Sequence, residues 1–144
     1  MNLYAMLKAR AEENKPIRCG LIGTGKFGSM FLSQARLTPG LQVMAVCDLD
    51  SGRASTALET TGWPKEQYAA SSFSQALNSG GTHVTDDAQA LIAAAGIEVV
   101  IDATGNPAAG IRHVLACCRQ GKHIVMVNVE ADALAGPLLA ARAR

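Results

Sequence analysis

Aromatic residues are scarce in this 144-residue chain, 4% against 49% hydrophobic overall. A core built that way is Ala, Val, Leu and Ile, the composition of a parallel sheet covered by helices. No stretch approaches twenty apolar residues, so no membrane span is expected. No basic stripe is present and the net charge is only +1, which argues against nucleic acid as a partner. Residues 1–8 lack the basic start and long apolar stretch of a secretory signal. The spacing of Leu3, Met6, Leu7 and Arg10 predicts an amphipathic helix within 1–15 instead. Cys19, Cys47, Cys117 and Cys118 form no C-x-x-C pair and no Cys/His metal spacing, so no metal site is expected. Cys19 and Cys47 fall in apolar runs and read as small core residues. Cys117 and Cys118 are adjacent on a helix and point in different directions, which argues against a redox pair. Reduced thiols and a cytoplasmic location are the expectation.

What is there is alternation. Strongly apolar runs at 17–23, 41–47, 97–103 and 123–128, with a weaker one at His83-Val84-Thr85, are separated by helical patterns at 26–36, 51–60, 86–95 and 107–120. The last is stopped by Gly121. Strand and helix alternating at this length predict a Rossmann-type, doubly wound parallel sheet with helices on both faces, in one domain over 16–144. The segment 62–81 is irregular and holds one short covering helix with Tyr68, Phe73 and Leu77. A final helix is expected over 132–144, at the front of a longer protein whose catalytic part lies elsewhere.

The first strand runs into Gly23-Thr24-Gly25-Lys26-Phe27-Gly28, a G-x-G-x-x-G frame at a strand–turn–helix junction. Gly23 permits the tight turn, Gly25 lets backbone approach a pyrophosphate, and Gly28 lets the helix pack close to the strand. Asp48 ends the second strand twenty residues beyond Gly28, where an acid meets an adenosine ribose. Asp48 suits the free 2′-hydroxyl of NAD, whereas Ser51 and Arg53 behind it suit the 2′-phosphate of NADP. Residues alone leave that choice even. The loop Asp102-Ala103-Thr104-Gly105-Asn106 ends the fourth strand, with Thr104, Gly105 and Asn106 as ligand contacts and Asn106 equally suited to cap the next helix. Lys26 and Phe27 at the glycine turn complete the candidates there. The strand 122–130 would end beside the nicotinamide, bringing Asn128 and Glu130; Glu130 is a weak candidate for proton transfer and otherwise a helix-start acid. His113 and His123 have no evident Asp or Ser companion.

Three blocks, Gly20-Leu-Ile-Gly-Thr-Gly-Lys-Phe-Gly-Ser-Met-Phe31, Asp102-Ala-Thr-Gly-Asn-Pro-Ala-Ala-Gly-Ile111 and Gly121-Lys-His-Ile-Val-Met-Val-Asn-Val-Glu-Ala-Asp132, resemble homoserine-dehydrogenase-like proteins. The nearest branch is the deoxyxylulose-phosphate-reductoisomerase-like one, whose members carry a further catalytic region and a SAF-type domain. The resemblance implies an N-terminal NADPH-binding domain of an enzyme of isoprenoid biosynthesis. That enzyme would reduce and isomerise deoxyxylulose phosphate to methylerythritol phosphate, aided by a divalent metal. A small phosphorylated substrate, a homo-oligomer and NADPH over NADH are expected on that basis, and this chain by itself is expected to be inactive. Two lysines of neighbouring families are missing. True homoserine dehydrogenases place one where this chain has Val129, and sugar dehydrogenases of the Gfo/Idh/MocA type place one at the position of Asn128. A homoserine-dehydrogenase-type enzyme, a non-enzymatic NAD(P)H sensor and an S-adenosylmethionine-dependent transferase are the alternatives.

Overall fold

The computed structural model describes residues 1–144. Five parallel strands form one sheet: β1 (Ile17–Ile22), β2 (Leu41–Cys47), β3 (His83–Thr85), β4 (Val99–Asp102) and β5 (His123–Met126). Their spatial order is β3-β2-β1-β4-β5. Seven α-helices connect and flank them: α1 (Leu3–Glu12), α2 (Lys26–Ala35), α3 (Ser51–Thr60), α4 (Phe73–Ser79), α5 (Ala88–Ala93), α6 (Pro107–Gln120) and α7 (Val129–Ala143). The chain leaves β1 toward β2 on one side and, after β3, returns to β4 on the other. The sequence order therefore reverses between β1 and β4, and the crevice of a doubly wound sheet opens at that switch.

Apolar helix stripes cover both faces of the sheet. On one, Leu32 and Ala35 of α2 and Ala54, Ala57 and Leu58 of α3 pack with Cys19, Leu21, Val43, Val46 and Trp63. On the other, Leu91 and Ile92 of α5 and Ala116 and Cys117 of α6 pack with Ile22, Met44, Cys47 and Val100. Between Cys19 and Gly20 the register against β2 slips, so that Cys19 faces Val43 and Gly20 faces Ala45. Met44 is the extra residue of this β-bulge, which turns Met44 and Ala45 toward the same cluster.

Several expected bounds move for local reasons. The helix expected over 86–95 is α5 alone, capped at Asp87, whose side chain accepts from Ala90 N–H. The covering helix of 62–81 is two pieces, a 3₁₀ turn at Lys65–Tyr68 and α4. Trp63, between α3 and the 3₁₀ turn, is buried and donates its indole N–H to Leu32 O at 3.0 Å. β5 stops at Met126 rather than running on to residue 130, because Asn128 caps α7 through Oδ1, which accepts from Ala131 N–H at 3.1 Å. The N-terminal helix forms but is not amphipathic in effect. None of its residues is buried, and Leu3, Tyr4 and Met6 are exposed. It leans on the domain through backbone, Leu7 O lying where a Cβ on Gly40 would stand. No helix is long and apolar enough to cross a membrane.

Candidate functional site

A cleft of about 800 Å³ lies over the carboxyl ends of β1, β2 and β4, at the switch in strand order. Its walls come from the glycine turn after β1, the loop after β2, the start of α5, the loop after β4 and the first turns of α6. A smaller hollow near Trp63, lined by Pro16, Leu41 and Gln42, lies at the opposite, amino end of β2.

The three glycines of the first turn meet three different environments. Gly23 has φ +100°, and a Cβ there would stand 2.7 Å from Ala103 O. The tight turn thus runs against the loop after β4. At Gly28 a Cβ would stand 2.1 Å from Gly23 O, so only glycine lets α2 begin this close to β1. At Gly25 a Cβ would have nothing within 4 Å. That open cradle sits at the N-terminus of α2, where the first-turn N–H groups have no intrahelical acceptor.

The caps of the helices set this one apart. Asn2, Asp50, Ser72, Asp87, Asn106 and Asn128 each cap their helix through a side chain. Gly25 caps α2 with none. Alone among the α-helices, α2 has no side chain accepting from its first-turn amides, and those amides, with the positive end of the helix dipole, suit a phosphate. A pyrophosphate fits this cradle: the donors are unclaimed and no side chain fills the space.

Asp48 is buried and takes part in holding the glycine turn. Its Oδ2 accepts from Thr24 N–H at 3.0 Å and from the Thr24 hydroxyl at 2.6 Å, and Oδ1 accepts from Asp50 N–H at 3.2 Å. Burial alone would raise the carboxyl's pKa, but these donors and the nearby Arg53 charge outweigh it and hold the pKa below the usual carboxylate value. Arg53 lines the cleft, is exposed and makes no ion pair. Ser51 is exposed at the start of α3 and does not line the cleft, so the two-residue clamp expected from sequence reduces to Arg53 there.

On the other side of β1, a buried polar network organises the loop after β4. Asp102 Oδ1 accepts from Thr104 N–H at 2.9 Å and from its hydroxyl at 2.8 Å. Asn128 donates through Nδ2 to Thr104 Oγ1 at 3.1 Å and to Asn106 O at 2.7 Å. Asn106 accepts from Ala109 N–H and caps α6. Asn128 is 1% exposed and braces the loop after β4 through these two bonds. Gly105 has φ +68° with open space around it, which leaves the loop crest free of side chains.

Sequence reading left His113 without a companion; the fold supplies one. The His113 ring and Asp102 Oδ2 meet at 2.9 Å, both residues buried, and His113 lines the cleft. The signal was the placement of His113 two turns into the helix that follows Asp102, which turns its ring back over the strand end. Burial alone would raise the pKa of Asp102, but the hydrogen bonds from His113 and Thr104 prevail and depress it.

Among the candidates read from sequence, the cleft brings together Gly23, Gly25, Asp48, Arg53, Thr104 and Asn106. Lys26 and Phe27 stand exposed on the first turn of α2 beside it, and Gly28 is buried beneath. Glu130 is an exposed acid in the first turn of α7, outside the cleft, where it complements the helix dipole.

Solved structures with this architecture are numerous in kind. Biliverdin reductase from Synechocystis sp. PCC 6803, in complex with biliverdin and NADP+, superposes with a TM-score of 0.65 at 23% identity over 90% of this chain and 35% of that one. A 3-ketoreductase from Actinomadura kijaniata in complex with NADP gives 0.62 at 21% identity, covering 90% and 36%. Myo-inositol dehydrogenase from Lactobacillus casei, in complex with NAD(H) and myo-inositol, gives 0.57 at 20% identity, covering 77% and 28%. This chain thus spans about a third of the length of each. No curated protein matches it in sequence. The sequence from residue 17 to 127 matches the family described as oxidoreductases with an NAD-binding Rossmann fold. That stretch runs from the first residue of β1 to just past β5, glycine turn and cleft included, and by it the chain belongs to the GFO/IDH/MocA oxidoreductase family.

Proposed function

We propose that this chain is the cofactor-binding domain of a larger NADPH-dependent oxidoreductase, gripping the dinucleotide pyrophosphate at the start of α2. The observation that carries this is the uncapped helix: of seven α-helices, only α2 lacks a capping side chain, and its Gly25 cradle is open. When bound, the nicotinamide supplies hydride transfer. This chain's residues bind and orient it, with Thr104 and Asn106 held on the opposite bank by Asp102 and Asn128.

Preference for NADPH over NADH is supported by the disposition of the β2 loop. Asp48 has donors on both oxygens from Thr24 and Asp50, while Arg53 is unpaired at the cleft. A guanidinium free to pair suits a 2′-phosphate. Titration calorimetry with NADPH and with NADH tests both points. Tighter binding of NADPH is expected, and Gly25→Val is expected to abolish binding by filling the cradle. Unchanged affinity in that variant would refute the pyrophosphate assignment.

As to substrate, the resemblance of residues 102–111 and 121–132 to the reductoisomerase-like branch supports a small phosphorylated ketose, with deoxyxylulose phosphate as the specific proposal. Asn128 stands where sugar dehydrogenases carry a lysine, and here it is a buried helix cap. The proton-transfer groups and any divalent metal would therefore belong to a further part of the protein. The chain alone is expected to bind NADPH without oxidising it when deoxyxylulose phosphate and Mg²⁺ are added. Turnover by the isolated chain would overturn that division of labour. Light scattering of the purified chain tests the homo-oligomer expected alongside it.

A further inference from the structure

β3 is only three residues long and pairs with Ala45, Val46 and Cys47, so β2 has no strand on its outer side from Leu41 to Met44. A cavity of about 450 Å³ lies there, at the amino end of the sheet and away from the dinucleotide cleft. That is the volume of a small-molecule pocket. Two polar groups of different kinds open into it.

The first is a buried acceptor. Gln42 is 8% exposed, and its Nε2 donates to Ala76 O and to Gly81 O, each at 3.0 Å. Turning the amide over would set Oε1 against the same two carbonyls, so its orientation is fixed. Oε1 accepts from no group of the chain, yet the one side-chain polar atom sealed off without a partner is Arg18 Nε. Oε1 therefore opens to space, and the space that Gln42 lines is this cavity.

The second is a donor with a set direction. Arg36 Nε donates to Thr61 O at 3.0 Å, and the guanidinium lies over Gly62, where a Cβ would stand 3.2 Å from Nε and 3.3 Å from Cζ. Its Nη groups bond to nothing in the chain, it has no ion pair, and no other charged side chain lines the cavity. α2 and α3 both end here, and free carbonyls at those ends would offset the guanidinium charge. Those carbonyls are claimed: Leu32 O by the Trp63 indole, Gln34 O by the Thr38 hydroxyl and Leu58 O by Trp63 N–H. Trp63, Leu41, Val43 and Pro16 supply apolar walls.

We propose that this cavity binds a small monocarboxylate carrying a hydroxyl and an apolar tail. The carboxylate pairs with the Arg36 Nη groups, the hydroxyl donates to Gln42 Oε1, and the tail lies against Trp63. A single guanidinium with no second cation suits one negative charge and not a phosphate dianion. With no acid in the lining, an ammonium group would go unpaired, which disfavours an amino acid. The site is separate from the dinucleotide cleft and does not depend on its reading.

Trp63 is the chain's single tryptophan, so its fluorescence reports on this cavity. The test is fluorescence and calorimetric titration of the whole chain and of Arg36→Gln with three ligands: phenyllactate, phenylpropanoate, which lacks the hydroxyl, and phenyllactamide, which lacks the charge. Phenyllactate is expected to change Trp63 emission saturably with a Kd below about 1 mM. Phenylpropanoate should bind about fivefold more weakly, the size of one neutral hydrogen bond, and phenyllactamide about tenfold or more, the size of a charge-assisted one. Arg36→Gln should lose that same factor for phenyllactate and leave phenyllactamide unchanged. NADPH should leave the calorimetric affinity for phenyllactate as it was. No saturable binding, equal affinity for all three ligands, undiminished phenyllactate binding by Arg36→Gln, or competition by NADPH would each overturn the proposal. Should the variant fail to fold, the three-ligand series on the wild-type chain decides.

Discussion

Replacing Gly25 by serine should make this protein more stable and worse at binding. Gly25 caps α2 with no side chain, and a Cβ there meets nothing within 4 Å, so a serine hydroxyl has room to accept from the first-turn amides. Serine over glycine at an N-cap contributes a few tenths of a kcal/mol. Removing a glycine from the unfolded chain adds about 0.4–1 kcal/mol, because the backbone at φ −70° suits any residue. The sum is about 1 kcal/mol, which for a chain this size raises Tm by about 3 °C. The same hydroxyl claims a donor that a phosphate needs. One charge-assisted hydrogen bond is worth about 1.5–3 kcal/mol, so dinucleotide affinity should fall about ten- to a hundredfold. Differential scanning fluorimetry and titration calorimetry on the two proteins read both numbers. A higher Tm with unchanged affinity would refute the assignment of these amides to the pyrophosphate, since the cap would have formed without competing with the ligand.

Gly28→Ala should act in the opposite sense. Its Cβ would lie 2.1 Å from Gly23 O, a backbone atom with nowhere to swing, and overpacking of about 3 kcal/mol outweighs the roughly 1 kcal/mol of helix propensity gained. The net loss of about 2 kcal/mol should lower Tm by about 6 °C, and an unchanged melt would contradict the close approach of α2 to β1. Asp48 and Asp102 both have depressed folded-state pKa values, so the stability they contribute is present above the unfolded carboxylate value near 4 and fades as pH falls through it toward the folded value. Tm should be level from about pH 5 to 7 and drop below about pH 4, with Asp102→Asn less stable at neutrality but less steep in acid; an equal slope in the variant would count against that carboxylate's role. Burial pushes the thiols of Cys19 and Cys47 up to about 12 and that of Cys117 to about 11, whereas Cys118 is only half-buried. At pH 8 a thiol-specific disulfide reagent should titrate Cys118 alone until denaturant is added, and rapid reaction of several thiols would mean a looser core.

The alternation of short apolar runs with helical patterns determined the fold class, because a strand buried on both faces and a one-sided helix leave different periodicities in a single sequence. Ser51–Thr60 and Pro107–Gln120 could be read to the residue, since Asp50, Asn106 and Gly121 mark their ends locally. The glycine frame and its pairing with Asp48 were legible too, being short-range demands on backbone geometry. The start of α7 was not, because Val127, Val129 and their neighbours look like strand until Asn128 is seen capping Ala131. Nor was the failure of Leu3, Tyr4 and Met6 to bury, which depends on whether another surface meets α1. The occupation of Asp48 by Thr24, the departure of Ser51 from the cleft and the meeting of His113 with Asp102 were decided by tertiary structure alone. Each depends on where two chain segments lie relative to one another, at a distance of one hydrogen bond. Sequence spacing sets which residues stand near the end of which strand; the packed sheet sets which of their atoms are already satisfied, and so which remain for a ligand.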